Sequence, residues 1–266
     1  MTRAGKARAL RWGSGLAILA ALEAIARAGL VRPSVLVPVS EMFGRLAEVV
    51  VTGTIPSPYF RRAGTPSLAY HVATTLGELG LSFLLAALLG LPLGALLWRV
   101  RALFEILNPY LVAYYAIPVF ALYPLFILLF GAGMLPIVLI GTLFGVVVIV
   151  TNTATGFRRV DGEVYPRVAR SLHLGPAQTL RWIYVPAAGP FVFTGLKLGF
   201  IYCLIGVVAA EFIVSTRGLG HIIDRSYRNF ETANMYAGIW MVLLLALTAN
   251  GALTRLEIAL HGRFRR

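Results

Sequence analysis

Residues 106–157 read ILNPYLVAYYAIPVFALYPLFILLFGAGMLPIVLIGTLFGVVVIVTNTATGF, a run of 52 residues without one Asp, Glu, Lys or Arg. A helix that crosses a bilayer needs about 20 mainly apolar residues, so this tract is long enough for two. Glycine and proline interrupt it at 131–136, in the sequence GAGMLP, where a break between helices is expected. The sequence therefore predicts membrane spans over 107–130 and 134–154.

Four further stretches are apolar over the length of a membrane helix: 12–31, 76–98, 189–215 and 233–256. The first contains Glu23 and Arg27, which can pair because residues four apart share a helix face. The stretch 189–215 contains Lys197 and Glu211. We expect Lys197 to extend toward the cytoplasmic edge of the membrane. Together with the central tract, these stretches predict an all-α membrane protein with six transmembrane helices.

The composition agrees with lipid as the solvent. Of the 266 residues, 58% are hydrophobic and 13% are charged, whereas soluble domains carry roughly a quarter charged residues. The mean hydropathy of +0.80 excludes an ordinary soluble enzyme and a disordered chain. We expect a single transmembrane domain over 1–266.

The N-terminus has an alternative interpretation as a secretory signal peptide, because basic residues precede a short apolar stretch. The apolar segment resumes after Glu23 and continues to Val31, and the rest of the chain is itself apolar. An uncleaved first span is the favoured interpretation.

The net charge of +13 is explained by membrane orientation. If both termini lie in the cytoplasm, 15 of the 24 basic residues fall on the cytoplasmic side and 7 on the outer side. Basic residues concentrate on the cytoplasmic side of membrane proteins. The sequence predicts a multi-pass protein with both termini in the cytoplasm, and nucleic-acid binding is not needed to explain the charge.

The chain lacks the motifs of common catalytic sites. Neither lysine, Lys6 or Lys197, stands in a P-loop, so no ATP hydrolysis by that route is expected. No G-x-S-x-G elbow occurs, the four histidines form no H-E-x-x-H pair, and Cys203 is the lone cysteine. We expect no catalytic residue, metal ligand or cofactor in this chain.

The predicted cytoplasmic segment 158–186 is charged and reads as two helices, Glu163 to Leu174 and Pro176 to Tyr184. Residues 167–173, RVARSLH, precede the pair Val185-Pro186. This arrangement resembles the EAA loop of bacterial ABC importer permeases. Further similarities to the nitrate/sulfonate/taurine branch follow in order along the chain: PFVFTGLKL at 190–198, AAE at 209–211, GLG at 218–220 and YAGI at 236–239.

The resemblance covers essentially the whole chain and implies the fold of a type I importer permease. In that family the loop forms a coupling helix that docks into a groove on the ATPase. Carried over, the ATPase-coupling residues are Arg167, Val168, Ala169, Arg170, Leu172, His173 and Gly175. The implied partners are a second copy of the permease or a paired heteromer, two ABC ATPase subunits that bind ATP and Mg, a solute-binding protein, and the lipid bilayer of a bacterial inner membrane.

Several positions depart from the family pattern. The Glu at the head of the loop is Arg167 here, and the loop Gly is His173. In the second span the usual Arg and Gly are Glu78 and Ser82, and 53–66 resembles an insertion.

The resemblance implies import of a small solute, either a sulfonate-, nitrate- or taurine-like anion or a vitamin or pyrimidine precursor. The binding protein is expected to dock on the outer face near 32–71 and 216–234. Candidate residues of the translocation path are Tyr114, Tyr115, Pro118 and Glu211. For the tyrosines, packing or interfacial anchoring is the favoured interpretation, whereas Glu211 is equally interpretable as a structural partner of an external arginine. The rival classes are a secondary transporter, which needs inverted repeats or paired intramembrane carboxylates, and a membrane-embedded enzyme.

Overall fold

A computed structural model describes residues 3–65, 67–162 and 164–264 of the chain. The described part is almost entirely helical, and its only strand-like feature is an isolated bridge between Thr54 and Ser67. The α-helices are α1 (Arg3–Arg27), α2 (Val39–Thr52), α3 (Pro58–Arg62), α4 (Leu68–Arg99), α5 (Arg101–Tyr114), α6 (Tyr123–Phe130), α7 (Met134–Val160), α8 (Val164–Ser171), α9 (Pro176–Thr179), α10 (Val185–Val214), α11 (Leu219–Arg228) and α12 (Thr232–Phe264). A 3-10 helix (Val119–Leu122) precedes α6, and a π-helical turn (Leu180–Tyr184) joins α9 to α10.

The chain forms two compact units. One takes residues 1–73 and 216–243, and the other takes 74–215 and 244–266. Helices α4 and α12 contribute residues to both units.

The sequence predicts six membrane spans, but fewer helices among the described residues are long and apolar enough to cross a membrane. Within the described residues, four stretches meet them: Leu68–Arg99, Met134–Val160, Pro176–Arg228 and Thr232–Ala259. The pair α5 and the segment Val119–Phe130 meets them jointly, which raises the number to five. The predicted first span is helical in α1 but is not among these stretches. Its outer end carries Glu23 and Arg27, which form the predicted ion pair at 2.5 Å.

The predicted third span, 107–130, is broken rather than merely kinked. Pro118 precedes the 3-10 helix, and the axes on either side of the break differ by 87°. Proline lacks the backbone N–H that continues a helix, which accounts for the break at Pro118. Pro124 lies instead in the first turn of α6, where proline is tolerated.

Helices α7 and α10 form the core of the second unit through small residues. A Cβ added at Gly145 would overlap the Cys203 sulfur and lie 3.0 Å from the Gly199 carbonyl oxygen. A Cβ at Gly206 would lie 2.9 Å from the Cα of Gly141. The two backbones are therefore in direct contact, as is common for membrane helices with small residues at the interface.

Helix α4 packs against α7 by the same means. A Cβ at Gly90 would lie 2.8 Å from Ile149, and one at Gly94 would lie 2.8 Å from the Val150 carbonyl oxygen. Gly90 and Gly94 therefore allow the close packing of α4 against α7.

The first unit has its own buried cluster. Phe60, His71 and His221 are fully or almost fully buried, and the two imidazole rings stack with centroids 6.1 Å apart. His71 Nδ1 accepts a hydrogen bond from the Gly218 N–H at 3.1 Å, and Nε2 lies 3.0 Å from the Thr65 carbonyl oxygen. Both ring nitrogens of His71 are thus engaged as in a neutral imidazole.

Candidate functional site

Helix α8 in the predicted coupling loop has two different faces. Ala169 is buried, with 6% of its surface exposed, and it lies beside Pro166 and Arg170 on the face that borders the ends of α4 and α7. The opposite face presents Val168 and Leu172, one helical turn apart and 43% and 62% exposed. Exposed apolar pairs on a charged helix are typical of a contact surface for another protein.

The C-terminus of α8 is closed by a Schellman motif centred on His173. The Leu174 N–H donates to the Ala169 carbonyl and the His173 N–H donates to the Arg170 carbonyl, each at 3.1 Å. His173 has a positive φ of 50°, a left-handed conformation that glycine adopts with least cost. The resemblance implies a glycine at this position, and the left-handed backbone explains why glycine would be favoured there.

Gly175 begins the next helix rather than joining the exposed face of α8. Its N–H donates to Gln178 Oε1 at 3.0 Å, and its carbonyl accepts from the Thr179 hydroxyl at 2.9 Å. Glu163, at the predicted start of the loop helix, lies outside the described residues.

The loop is fixed to the ends of the long helices by an aromatic cluster. The Tyr184 ring lies 5.2 Å from Trp98, and Trp98 stacks on Phe157 at 4.8 Å. The Tyr184 hydroxyl donates to Asp161 Oδ1 at 2.5 Å. Burial, together with this carboxylate, raises the pKa of Tyr184 to about 12, so the phenol keeps its proton and remains the donor.

A polar groove of about 570 Å³ lies on the inner side of α8, bounded by the ends of α4 and α7 and by α9. Arg99, Asp161 and Arg170 contribute its charged groups. Arg170 Nε donates to the carbonyl of Pro166, another lining residue, at 3.3 Å. The seven predicted coupling residues are thus divided. Ala169 and Arg170 line this groove, and Val168 and Leu172 face away from it. Arg167 is exposed, with its carbonyl accepting from the Ser171 hydroxyl, and His173 and Gly175 lie in the turn before α9.

Three of the four predicted path residues lie close to the break in the third span. The Tyr114 hydroxyl donates to the Leu143 carbonyl at 2.9 Å, and Tyr115 lies within 3.4 Å of the Thr151 hydroxyl. Pro118 begins the 3-10 segment. Tyr114 packs against a buried cluster that includes Val207 of α10.

Glu211 is fully buried in α10, where its carboxylate accepts a hydrogen bond from Thr75 of α4 at 2.7 Å. Thr75, Glu78 and Ser82 are all fully buried on α4, at the spacing of one helix face. The Ser82 hydroxyl donates to the Val138 carbonyl of α7 at 3.1 Å. This buried polar stripe was missed from the sequence, although polar residues at i, i+3 and i+7 within an apolar span are a signal that could have identified it.

Lys197 also has a partner that the sequence did not predict. Its Nζ lies 2.5 Å from Glu257 Oε2, and both side chains are about a quarter exposed. This ion pair joins α10 to α12.

Residues 83–266 match the family described as "Binding-protein-dependent transport system inner membrane component". The chain is 30% identical to the putative aliphatic sulfonates transport permease protein SsuC of Bacillus subtilis over 217 residues, 79% of this chain and 78% of that protein. It is 30% identical to the taurine transport system permease protein TauC of Escherichia coli over 191 residues, 72% and 69%. It is 27% identical to the nitrate import permease protein NrtB of Leptolyngbya laminosa over 197 residues, 74% and 70%.

The fold is similar to an inward-facing form of the MetNI methionine ABC transporter, with a TM-score of 0.61 and 20% sequence identity. The match covers 71% of this chain and 94% of the transporter chain. Since the family match extends over more than half of the residues, the chain belongs to the binding-protein-dependent transport system inner membrane components and is a multi-pass permease subunit of an ABC importer, with a transport rather than an enzymatic role.

Proposed function

We propose that the chain is the membrane-spanning half of an importer built from two permease copies and two ATPase subunits. ATP and Mg would bind to the ATPases, and closure of those subunits would move the permease helices between inward- and outward-facing states. The observation that carries this proposal is the exposed apolar face of α8, formed by Val168 and Leu172.

The way in which α8 is held supports this role. Its inner face borders the ends of α4 and α7, and the π-helical turn continues directly into α10. A push on the exposed face would therefore reach the ends of α4 and α7 through the inner face of α8, and α10 through the short turn 172–175 and α9. A rigid element between two sites is a physical route for coupling.

Assembly with the ATPase tests the proposal. Val168→Glu with Leu172→Glu places two carboxylates on the exposed face, and we expect the ATPase to be lost during co-purification through a tag on the permease. Arg181→Glu makes the same change of two charge units in the same loop and should retain the ATPase. Retention of the ATPase by the double variant, at the level of the control, would contradict a docking role for this face.

We place the docking of the solute-binding protein on the first unit, with both chain termini in the cytoplasm. A groove of about 500 Å³ lies there beside Phe230, whose side chain is 78% exposed. Phe230 has a positive φ of 57°, which is rare for an aromatic residue. Strain held at an exposed residue is typical of a functional site.

The proposed cargo is a small solute of the class named in the relatives, of which nitrate, taurine and aliphatic sulfonates are anionic or carry an anionic group. Ligand screening of the binding protein encoded beside this permease tests this part. Tight binding of a small oxyanion or sulfonate is expected, whereas exclusive binding of an uncharged solute would overturn the anion assignment.

A further inference from the structure

An apolar cavity that the transport mechanism does not use lies about one helical turn from the polar groove behind α8. This cavity has a volume of about 420 Å³ and lies among α4, α7 and α10. Leu91, Ala95, Phe157 and Val192 are among its lining residues.

The two spaces follow one another along shared helix faces. On α4, Leu91 and Ala95 line the apolar cavity and Arg99 lines the polar groove, each four positions after the one before. On α7, Phe157 lines the cavity and Asp161 lines the groove, again four residues apart. Residues four apart share a helix face and lie about 6 Å apart along the axis. The apolar cavity is therefore deeper in the membrane than the groove, directly in line with it.

The charges of the groove favour an anion. Two guanidinium groups, Arg99 and Arg170, face one carboxylate, Asp161. That carboxylate already accepts a hydrogen bond from the Tyr184 hydroxyl. Trp98, which lines the groove, is of the residue type that concentrates where a membrane meets water.

We propose that the groove and the cavity together bind an anionic phospholipid of the cytoplasmic leaflet. The phosphate would lie between Arg99 and Arg170, and an acyl chain would fill the cavity beside Ala95. A free nucleotide or phosphate has no acyl chain that could fill the apolar cavity. A neutral lipid has no net negative charge to attract the two arginines. Basic pockets between membrane helices on the cytoplasmic side are suited to acidic headgroups. The inference does not depend on what the importer carries.

The test uses the full chain with its ATPase partners, purified in mild detergent and studied by native mass spectrometry. The probes are dioleoyl phosphatidylglycerol, dioleoyl phosphatidylcholine and glycerophosphoglycerol, the first headgroup without its chains. We expect a retained phosphatidylglycerol adduct, no comparable phosphatidylcholine adduct, and no competition by glycerophosphoglycerol. Equal retention of the two lipids would overturn the proposal, as would equal competition by the chain-free headgroup, which would indicate a simple phosphate site.

Variants locate the site. Arg99→Gln with Arg170→Gln should weaken phosphatidylglycerol retention about tenfold or more, since each basic residue near an anionic lipid contributes on the order of 1 kcal/mol. Arg99→Lys with Arg170→Lys should retain the lipid if charge is what matters. Arg101→Gln is the matched control, because Arg101 lies in the same turn but is 86% exposed and paired with Glu105.

The apolar half is tested separately. Ala95→Phe should fill the cavity and reduce lipid retention, whereas Leu96→Phe, one residue away and outside the cavity lining, should not. An unchanged adduct in both Ala95→Phe and the double glutamine variant would refute the site. Absence of any adduct in the wild type would also refute it and would indicate that protein, such as the second permease copy, covers the cavity.

Discussion

At the scale of single residues, two residues have a left-handed backbone, and we propose different roles for their side chains. His173 and Phe230 each follow the end of a short helix with a positive φ and complete the two hydrogen bonds of a Schellman motif. Glycine would fit both positions with less cost. The consequences of restoring glycine should differ, because the proposed docking face is formed by Val168 and Leu172 rather than by His173, whereas the ring of Phe230 borders the groove of the first unit.

His173→Gly should raise the thermal stability of the purified complex slightly, by about 1 kcal/mol, because the left-handed backbone is no longer strained. ATP hydrolysis stimulated by the binding protein should be retained. His173→Val places a β-branched residue at the same φ and should lower both quantities. Loss of stimulation in His173→Gly with intact stability would show instead that the imidazole itself contacts the ATPase.

Phe230→Gly should be at least as stable as the wild type for the same backbone reason, yet respond poorly to the binding protein. We expect stimulation of ATP hydrolysis by the binding protein to fall severalfold while basal hydrolysis is unchanged. Phe230→Trp, which keeps an exposed aromatic ring, is the control. Full stimulation in the glycine variant would remove Phe230 from the docking surface.

At the scale of helices, close approach of α7 and α10 determines whether the second unit folds. Gly145→Val would place methyl groups against the Cys203 sulfur and the Gly199 carbonyl, and the carbonyl is backbone that cannot turn away. We expect a destabilisation of at least about 1–3 kcal/mol, seen as aggregation or a lowered melting temperature in fluorescence-detected size exclusion. Gly80→Ala, with no atom within 4 Å of its Cβ, is the control and should be tolerated. Equal behaviour of the two variants would contradict the backbone contact.

The sequence predicted the helical class and the helix break at 131–136 because both depend on local chemistry. It did not predict the 87° bend of the third span, since the angle after a proline depends on the neighbouring helices. It also did not separate Val168 from Ala169 and Arg170 in the coupling loop. In a helix of eight residues the apolar periodicity is too short to show which face is buried.

Buried polar pairs were the least predictable feature. Lys197 with Glu257 and Thr75 with Glu211 join residues 60 and 136 positions apart, so their pairing depends on tertiary packing. The Glu23–Arg27 pair of α1 was predictable by contrast, because residues four apart in a helix share a face.

At the scale of the whole molecule, the chain supplies membrane helices and an exposed face on α8. In the proposed importer, the energy for transport comes from ATP hydrolysis by the partner ATPases. In the proposed orientation, the excess of basic residues lies on the side of the coupling loop, where the ATPases would dock. In the two proposals, the anionic lipid binds in the groove on the inner side of α8, and the ATPase docks on the exposed face of the same helix.

The most direct measurement is ATP hydrolysis and solute uptake by the complex reconstituted in liposomes with its binding protein. Val168→Ser with Leu172→Ser is compared with the wild type and with Arg181→Gln. The double variant should insert normally but hydrolyse ATP only at the rate of the isolated ATPase and take up no solute, whereas Arg181→Gln should match the wild type. Wild-type hydrolysis and uptake by the double variant would contradict coupling through this face of α8.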